Sequence, residues 1–308
     1  MLFKDYFPTP ATLLLLGIPL SAAPTAPVPS RLALEGAYQG WRSALTQKDL
    51  RSWQYYTADY RRIQIRNTIV SQKQPFPQAV LERPVLAPAL TGLRFLGIRT
   101  GDRTASASYF GPVDFGLPPG DEIPDNLLIL HFVHEEARWR FDRAQYLNLE
   151  ARPEIRREIE QGGLGILEEP SLQPQVQPPP LPPLCRAPEY IAKVFAEVPG
   201  LRAEVDFGGS EVYLFEDERR ADLIIGGLQR GVNKISYRLG PLEKTEENAP
   251  LPNKEGFEIS VWIMPEREGQ IPVRVFQEKI LPGETPLKKR SALLSITAQN
   301  LAGRNPAK

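Results

Sequence analysis

The stretch of sequence that decides the fold of the first half of this chain is LLILHFVHEEARWRFDRAQYL, residues 127–147. Apolar runs lie on both sides of a short charged turn, Glu135-Glu136-Ala137, and both runs are rich in residues that favour strands. We therefore predict two antiparallel strands, 126–134 and 138–147, joined as a hairpin. The side chain of Trp139 is expected to be buried.

Helical periodicity comes before these strands. Between residues 32 and 62, apolar and aromatic side chains recur every three or four positions, with a break near Lys48 where Asp49 can cap a second helix. Two more strand-like runs follow at 93–99 and 104–110. Helices followed by strands predict an α+β architecture, with the helices packed on one face of a curved antiparallel sheet.

The helical segment AYQGWRSALTQKDLRSWQYYTADY and the hairpin ending in Trp139-Arg140-Phe141-Asp142 together resemble the nuclear-transport-factor-two-like superfamily, over residues 32–149. The resemblance implies a cone in which one curved sheet wraps on helices, often forming a homodimer through the sheet. It also implies a pocket that is catalytic in some relatives and a binding or packing feature in many. The isomerases and dehydratases among them need an acidic or histidine base opposite a tyrosine, and no such set aligns onto this chain.

Prolines mark the boundary between the two halves of the chain. Seven of the 32 prolines lie between Pro170 and Pro183, a composition that favours extended polyproline II. We interpret this segment as a semi-rigid spacer, and a Pro-x-x-Pro recognition ligand is the alternative. A short helix is predicted just before it, from Pro153 to Gln161.

The second half of the chain reads as all-β, because short β-branched or alternating runs recur between Pro-Gly and Gly-Gly turns. The predicted strands are 193–198, 202–207, 211–215, 222–225, 232–239, 257–264, 273–280 and 292–297. The chain therefore divides into an N-terminal arm (1–30), an α+β cone (31–150), a helix with a proline-rich linker (151–184) and a β-sandwich-like domain (185–308).

The N-terminus has the order of a signal peptide. Lys4 precedes the apolar run 11–20, and the small residues 21–23 follow it. The apolar run of about ten residues is too short for a transmembrane helix, which needs about 20, so no stable membrane span is predicted. We expect cleavage between about Leu20 and Ala26 and export to the periplasm or the extracellular space. The alternative is an apolar arm on an intracellular protein.

Composition argues against several classes of function. The chain has 37 Lys+Arg and 37 Asp+Glu, so its net charge of zero creates no field that would attract nucleic acid. One cysteine, Cys185, and two histidines are too few for a zinc cluster or a disulfide framework. We expect no nucleic-acid partner, no metal and no cofactor.

The two histidines, His131 and His134, are the first candidates for chemistry. An offset of three residues on a strand places their rings on opposite faces, so the pair does not suit a shared metal ion. One of them, best His131, could face the interior of the cone and act as acid or base with a carboxylate partner, Asp114 or Asp142. The alternative is a structural histidine that a hydrogen bond satisfies.

Two further sets of residues could form sites. Aromatic side chains could line a pocket for a flat apolar ligand, although a stripe at helical spacing is typical of a core. These aromatic candidates are Tyr38, Trp41, Tyr56, Tyr109 and Trp139. The second domain has no histidine to activate a nucleophile, so hydrolysis by a carboxylate pair is its remaining catalytic route. The available acids are Glu204, Asp206, Glu211, Glu216 and Asp222.

These patterns favour an exported two-domain binding or assembly protein without catalytic activity, with a protein or a polysaccharide as partner. Two alternatives stay open: a small-molecule enzyme of isomerase, dehydratase or hydrolase type that uses the pocket of the cone, and an intracellular scaffold. A catalytic cone should hold His131 or a buried carboxylate inside a cavity, whereas a binding module should have a filled, apolar interior.

Overall fold

The computed structural model describes residues 27–82, 87–114, 123–209, 211–242, 255–284, 286–297 and 301. Within these ranges the chain is α+β and rich in β-structure, with three four-stranded sheets whose neighbouring strands are antiparallel. The predicted signal peptide lies outside the described residues. None of the described helices is long and apolar enough to cross a membrane.

Three helices open the first domain: α1 (Arg31–Thr46), α2 (Leu50–Tyr56) and α3 (Asp59–Ser71). The predicted cap is confirmed, since the Asp49 carboxylate accepts hydrogen bonds from the backbone N–H groups of Arg51 and Ser52 at 3.0 and 3.1 Å. The helical prediction stopped too early, at residue 62, because α3 alternates polar and apolar residues without a clear apolar stripe.

The N-terminal sheet is a meander of β1 (Arg94–Thr100), β2 (Thr104–Pro112), β3 (Asp125–Glu135) and β4 (Arg138–Asn148). The predicted hairpin is confirmed as the pair β3 and β4. It turns through Glu136 and Ala137, both with positive φ. A β-bulge at His131/Phe132 shifts the register, so that His131 pairs with Arg143 and Phe132 pairs with Phe141.

Both faces of this sheet are covered, whereas the sequence predicted helices on one face. On the first face, Leu128, Leu130 and Phe132 pack with aromatic residues of α1. On the second face, Leu127 and Ile129 pack against residues that follow the sheet in the chain. These residues come from α4 (Pro153–Glu160) and two 3-10 turns (Gly165–Glu168 and Pro170–Leu172), and they are Ile159, Ile166, Leu167 and Leu172.

The proline-rich segment lies against the first domain. The backbone N–H of Asp102 donates to the Val176 carbonyl at 2.9 Å, and the Thr104 hydroxyl donates to the Gln175 carbonyl. Further along, the buried Asn67 amide donates to the Pro183 carbonyl at 3.0 Å and accepts from the Cys185 N–H at 3.1 Å. Because proline has no N–H, the segment offers mainly carbonyls to its neighbours, and here first-domain groups satisfy them.

The second domain contains eight strands in two sheets. The strands are β5 (Ala192–Glu197), β6 (Leu201–Asp206), β7 (Val212–Glu216), β8 (Arg219–Leu223), β9 (Gly231–Pro241), β10 (Phe257–Ile263), β11 (Val273–Ile280) and β12 (Lys289–Ile296). Their orders are β11-β10-β5-β8 and β12-β9-β6-β7. Alternate residues of both sheets, such as Val194, Val205 and Val261, are buried in one hydrophobic core.

The C-terminal end of α3 joins the two domains. The Ser71 hydroxyl accepts a hydrogen bond from the Gly226 N–H at 2.8 Å. The Lys73 ammonium donates to the Glu189 carbonyl at 2.5 Å and pairs with the Glu266 carboxylate at 2.7 Å. Polar groups of the first domain therefore bond directly to loops of the second.

Candidate functional site

His131 lies on β3, on the face of the sheet opposite α1, and is only 5% exposed. Its Nε2 atom is 3.3 Å from Oε1 of Gln145. Burial, with the nearby Arg143 guanidinium, lowers the pKa of His131 to about 4, so the imidazole is neutral at pH 7. The cavity beside it has a volume of about 20 Å³, and one water molecule needs about 10–15 Å³. The space suits one water molecule and excludes a substrate.

Asp142 lies next to His131 but is engaged with other groups. Tyr60 Oη donates to its Oδ1 atom at 2.5 Å, and Arg61 Nε donates to the same oxygen at 2.8 Å. Burial and the Asp142 charge raise the pKa of Tyr60, which keeps this phenol a donor. Asp142 therefore orders the start of α3 through Tyr60 and Arg61.

Asp114, the other proposed partner of His131, lies far away. It follows the end of β2 and is exposed. Residue Ser106 of β2 pairs with His131, and Asp114 lies eight residues further along, which is about 26 Å at the rise of an extended strand. The proposed pairing of His131 with Asp114 is therefore wrong.

The aromatic candidates of the first domain pack against one another. Tyr38, Trp41 and Phe141 have ring centroids 4.3–5.7 Å apart between α1 and the sheet. Tyr109 is buried beside them, and Tyr56 packs on Gly40 of α1. These rings fill the space in which the sequence analysis placed a ligand pocket.

Trp139 differs from the expectation of a buried core residue. Its side chain is half-buried and packs on the His134 ring, with centroids 5.0 Å apart. Phe141, two residues further on the same strand face, is the buried aromatic of β4. Trp139 is only the second residue of β4 after the hairpin turn, and it packs at the margin of the aromatic core.

A concavity with a mostly apolar lining lies on the outward face of the sheet β11-β10-β5-β8. This groove has a volume of about 640 Å³, in the range typical of ligand sites. Residues of three strands and of the loop before β11 line it, among them Phe195, Ala221, Ser260, Trp262, Met264 and Pro272. We call it the Phe195–Trp262 groove.

The two aromatic rings of the groove are held in place by their neighbours. Phe195 lies between two small residues across the sheet, Ser260 and Ala221, so its ring stays 38% exposed. Trp262 reaches back over Ser260, and its Nε1–H donates to the Ser260 hydroxyl at 3.0 Å. The rings meet edge to face, with centroids 6.1 Å apart, and the Arg274 guanidinium lies 5.6 Å from the Trp262 ring centroid.

Charged residues on one side of the groove are already paired. The cross-strand row Lys279, Glu258, Glu197 and Arg219 runs over the four strands. Lys279 lies 3.7 Å from the Glu258 carboxylate, and Arg219 lies 3.8 Å from the Glu197 carboxylate. Each carboxylate has its own cation, so the row as a whole has no net charge.

This groove was not predicted from the sequence, although the strand pattern contains a signal for it. Phe195 stands between Lys193 and Glu197, at a position of β5 where alternation expects a polar residue. Trp262 lies two residues after Ser260 on β10, so its side chain is on the same outward face of the sheet. Two large aromatic residues in the solvent phase of neighbouring strands would have indicated an exposed aromatic surface.

Two of the proposed carboxylates share a second cleft. Glu211 and Asp222 line a space of about 420 Å³ together with Tyr213 and Thr68 of α3. Burial, with the nearby Asp222 charge, raises the pKa of Glu211. Arg220 holds the Asp222 carboxylate at 3.0 Å.

The other acids of that set serve local contacts. Glu204 and Glu216 pair with Arg202 at 3.1 and 3.2 Å, and Asp206 accepts from the Gly208 N–H at 2.6 Å. Over the described ranges, no group of three or more His, Cys, Asp or Glu side chains is arranged to hold a metal ion.

Neither protein-family models nor curated proteins nor solved structures give a match to this chain.

Proposed function

We propose that this chain is an exported, non-catalytic binding or assembly protein, in which an α+β cone supports a β-sandwich-like domain that binds its partner in the Phe195–Trp262 groove. The observation that carries the proposal is the groove itself. It combines exposed aromatic rings, a volume of about 640 Å³ and charged neighbours that pair with one another. Aromatic side chains in a concave site are typical anchors for a bound partner.

The groove favours an extended, uncharged polypeptide. Its charged row is internally neutral, so a charged ligand would gain little attraction there and would lose its own hydration. The indole N–H of Trp262 is already bonded to Ser260, so this residue presents mainly the apolar part of its ring to a ligand. Apolar side chains and proline rings suit such a surface.

The enzyme alternative for the first domain has less support. The cavity beside His131 has a volume of about 20 Å³, and Asp142 is bonded to Tyr60 and Arg61. A general base needs room for its substrate within hydrogen-bond reach. The space between α1 and the sheet is occupied by aromatic rings.

The test of the proposed function is a binding screen of the full chain against two arrays, one of short peptides that vary in charge and proline content and one of soluble polysaccharides. We expect binding to uncharged peptides that Trp262→Ala reduces at least tenfold. The matched control is Leu293→Ala, because Leu293 is 74% exposed on β12 of the other sheet and should not affect binding.

Three results would contradict the proposal. If Trp262→Ala and the wild type bind peptides equally well, the groove is not the binding site. Binding to polysaccharides alone would replace a peptide with a glycan as the ligand. Turnover of a glycoside or ester substrate that Glu211→Gln abolishes would replace the binding role with catalysis at the second cleft.

A further inference from the structure

We propose that the occupant of the Phe195–Trp262 groove is the proline-rich segment of a second copy of this chain, residues 173–184. This inference rests on the proposed function and names its partner. It joins an exposed segment without ionisable side chains to a groove whose charged row pairs internally.

The conformation of the segment follows from its sequence. Pro178, Pro179, Pro180, Pro182 and Pro183 each have a fixed φ, and a residue that precedes proline is restricted to extended backbone. No helix or strand forms from residue 173 to residue 188. The proline-dense run from Pro178 to Pro183 therefore favours polyproline II, with three residues per turn.

This periodicity separates an exposed edge from a docked edge. Leu181 and Leu184, three residues apart, are 61% and 63% exposed. Pro180 and Pro183 form the neighbouring exposed edge, whereas Pro179 and Pro182 are partly buried. The segment thus presents two leucine side chains and two proline rings to solvent in a regular row, as polyproline ligands of aromatic grooves do.

The segment is ordered before it binds. Hydrogen bonds from Asp102 and Thr104 hold its start, and Asn67 holds its end through Pro183 and Cys185. Ordering costs little further entropy on association, because these contacts already restrict the backbone. They also keep the segment on its own first domain, so we assign the groove that it fills to another copy.

Charge and length match between the two surfaces. Residues 173–184 contain no ionisable side chain, in a chain of which 24% of residues are charged. The groove crosses three strands, β8, β5 and β10, which lie about 4.8 Å apart and so span about 10 Å. Polyproline II rises about 3.1 Å per residue, so the step of three residues from Leu181 to Leu184 spans about 9 Å and matches this distance.

The contact uses a different surface on each copy. Two copies can exchange segments reciprocally and close as a pair, or the contact can repeat head to tail. In either case self-association requires both Trp262 and the exposed leucines.

The test is sedimentation velocity of the full chain over a range of concentrations. We expect self-association that weakens at least tenfold in Trp262→Ala and also in the double variant Leu181→Ser/Leu184→Ser. Both variants change exposed or half-exposed positions, and circular dichroism checks that they stay folded. Leu293→Ser is the matched control, since it makes the same change at a more exposed leucine outside both surfaces and should associate like the wild type.

Mixing the two defective variants gives a second, independent readout. The Trp262→Ala chain keeps an intact segment and the double variant keeps an intact groove, so one contact re-forms. We expect a mixture to contain heterodimers that neither variant forms alone. A synthetic peptide of residues 173–184 should also change the fluorescence of Trp262, and the same peptide with serine at both leucine positions should not.

The outcomes separate this inference from the proposed function. The inference would be overturned if the wild type is monomeric and the peptide of residues 173–184 does not change the fluorescence of Trp262. If other peptides still bind and lose binding in Trp262→Ala, the proposed function stands with a different partner. If Trp262→Ala changes no binding of any kind, both proposals are wrong.

Discussion

His131 and Phe141 point to opposite faces of the N-terminal sheet, because the bulge at His131/Phe132 adds Asp142 to the strand opposite. Phe141 joins the aromatic core under α1, and His131 turns toward the proline-rich segment. The role of each residue in this hairpin therefore depends on the face to which the bulge assigns it.

The buried histidine makes stability depend on pH. Its pKa is about 4 in the folded chain and 6.5 as the ordinary value, so the unfolded chain binds the proton more tightly. Above pH 6.5 the imidazole is neutral in both the folded and the unfolded chain. As the pH falls from 6.5 to 4, only the unfolded chain gains the proton, so the free energy of unfolding falls by about 3 kcal/mol. We expect His131→Gln to lose this part of the pH dependence in urea unfolding between pH 7 and pH 4.

The matched control for this prediction is His134→Gln. Burial also lowers the pKa of His134, but its ring is only half-buried, so its variant should change the pH dependence less. If the free energy of unfolding changes with pH equally in wild type and His131→Gln, then burial does not lower the pKa of His131 and the prediction is wrong.

Two aromatic residues of the same hairpin should differ in their contribution to stability. Phe141 is 3% exposed among Tyr38, Trp41 and Phe132, so Phe141→Ala should lower the free energy of unfolding by about 3–5 kcal/mol. Trp139→Ala removes a half-buried ring and should cost less than half as much. Chemical denaturation of the two variants measures the difference, and equal losses would contradict the burial of Phe141 as its cause.

At the scale of elements, the proline-rich segment shows how packing changes the role of a sequence. Its composition predicts an extended spacer, and the segment forms neither helix nor strand. The carbonyl groups of the segment nevertheless accept hydrogen bonds from Asn67, Asp102 and Thr104. The segment is thus a strap along the first domain, held by partners up to 116 residues away in the chain.

Asn67 should control how firmly this strap is held. Asn67→Ala leaves the Cys185 N–H and the Pro183 carbonyl without this partner, and losing these part-buried hydrogen bonds should cost about 1 kcal/mol each. We expect trypsin to cleave after the exposed Arg186 faster in Asn67→Ala than in the wild type, as followed by mass spectrometry.

The control for the strap is Asn148→Ala, because the exposed Asn148 side chain accepts only a local hydrogen bond, from the Glu150 N–H at 2.8 Å. It should leave cleavage after Arg186 unchanged. Equal cleavage rates in wild type and Asn67→Ala would mean that the prolines alone keep the strap in place.

At the scale of the whole molecule, the N-terminal sheet is covered by the chain itself. A homodimer through this sheet stays a prediction of the family resemblance. It would have to form on a face where Ile159, Ile166 and Leu172 already pack on Leu127 and Ile129. Self-association through the groove and the strap needs no such displacement.

Export of the molecule is tested at its N-terminus. The short apolar run with small residues after it should be cleaved between about Leu20 and Ala26. N-terminal sequencing of the native protein from the envelope fraction measures this. Recovery of the chain with Met1 intact in the cytoplasm would support the intracellular scaffold instead.

Local patterns in the sequence determined the hairpin, the Asp49 cap, the order of helices and strands in the first domain and the β-rich second half. Strand alternation, capping and turn residues act between neighbours in the chain, so they can be interpreted without knowledge of the fold. The tertiary structure decided which residues meet over long separations. It placed the strap on Asn67, Tyr60 on Asp142 and Phe195 beside Trp262. Strand register and the covering of each sheet face set these contacts, and both depend on packing of the whole chain rather than on any local pattern.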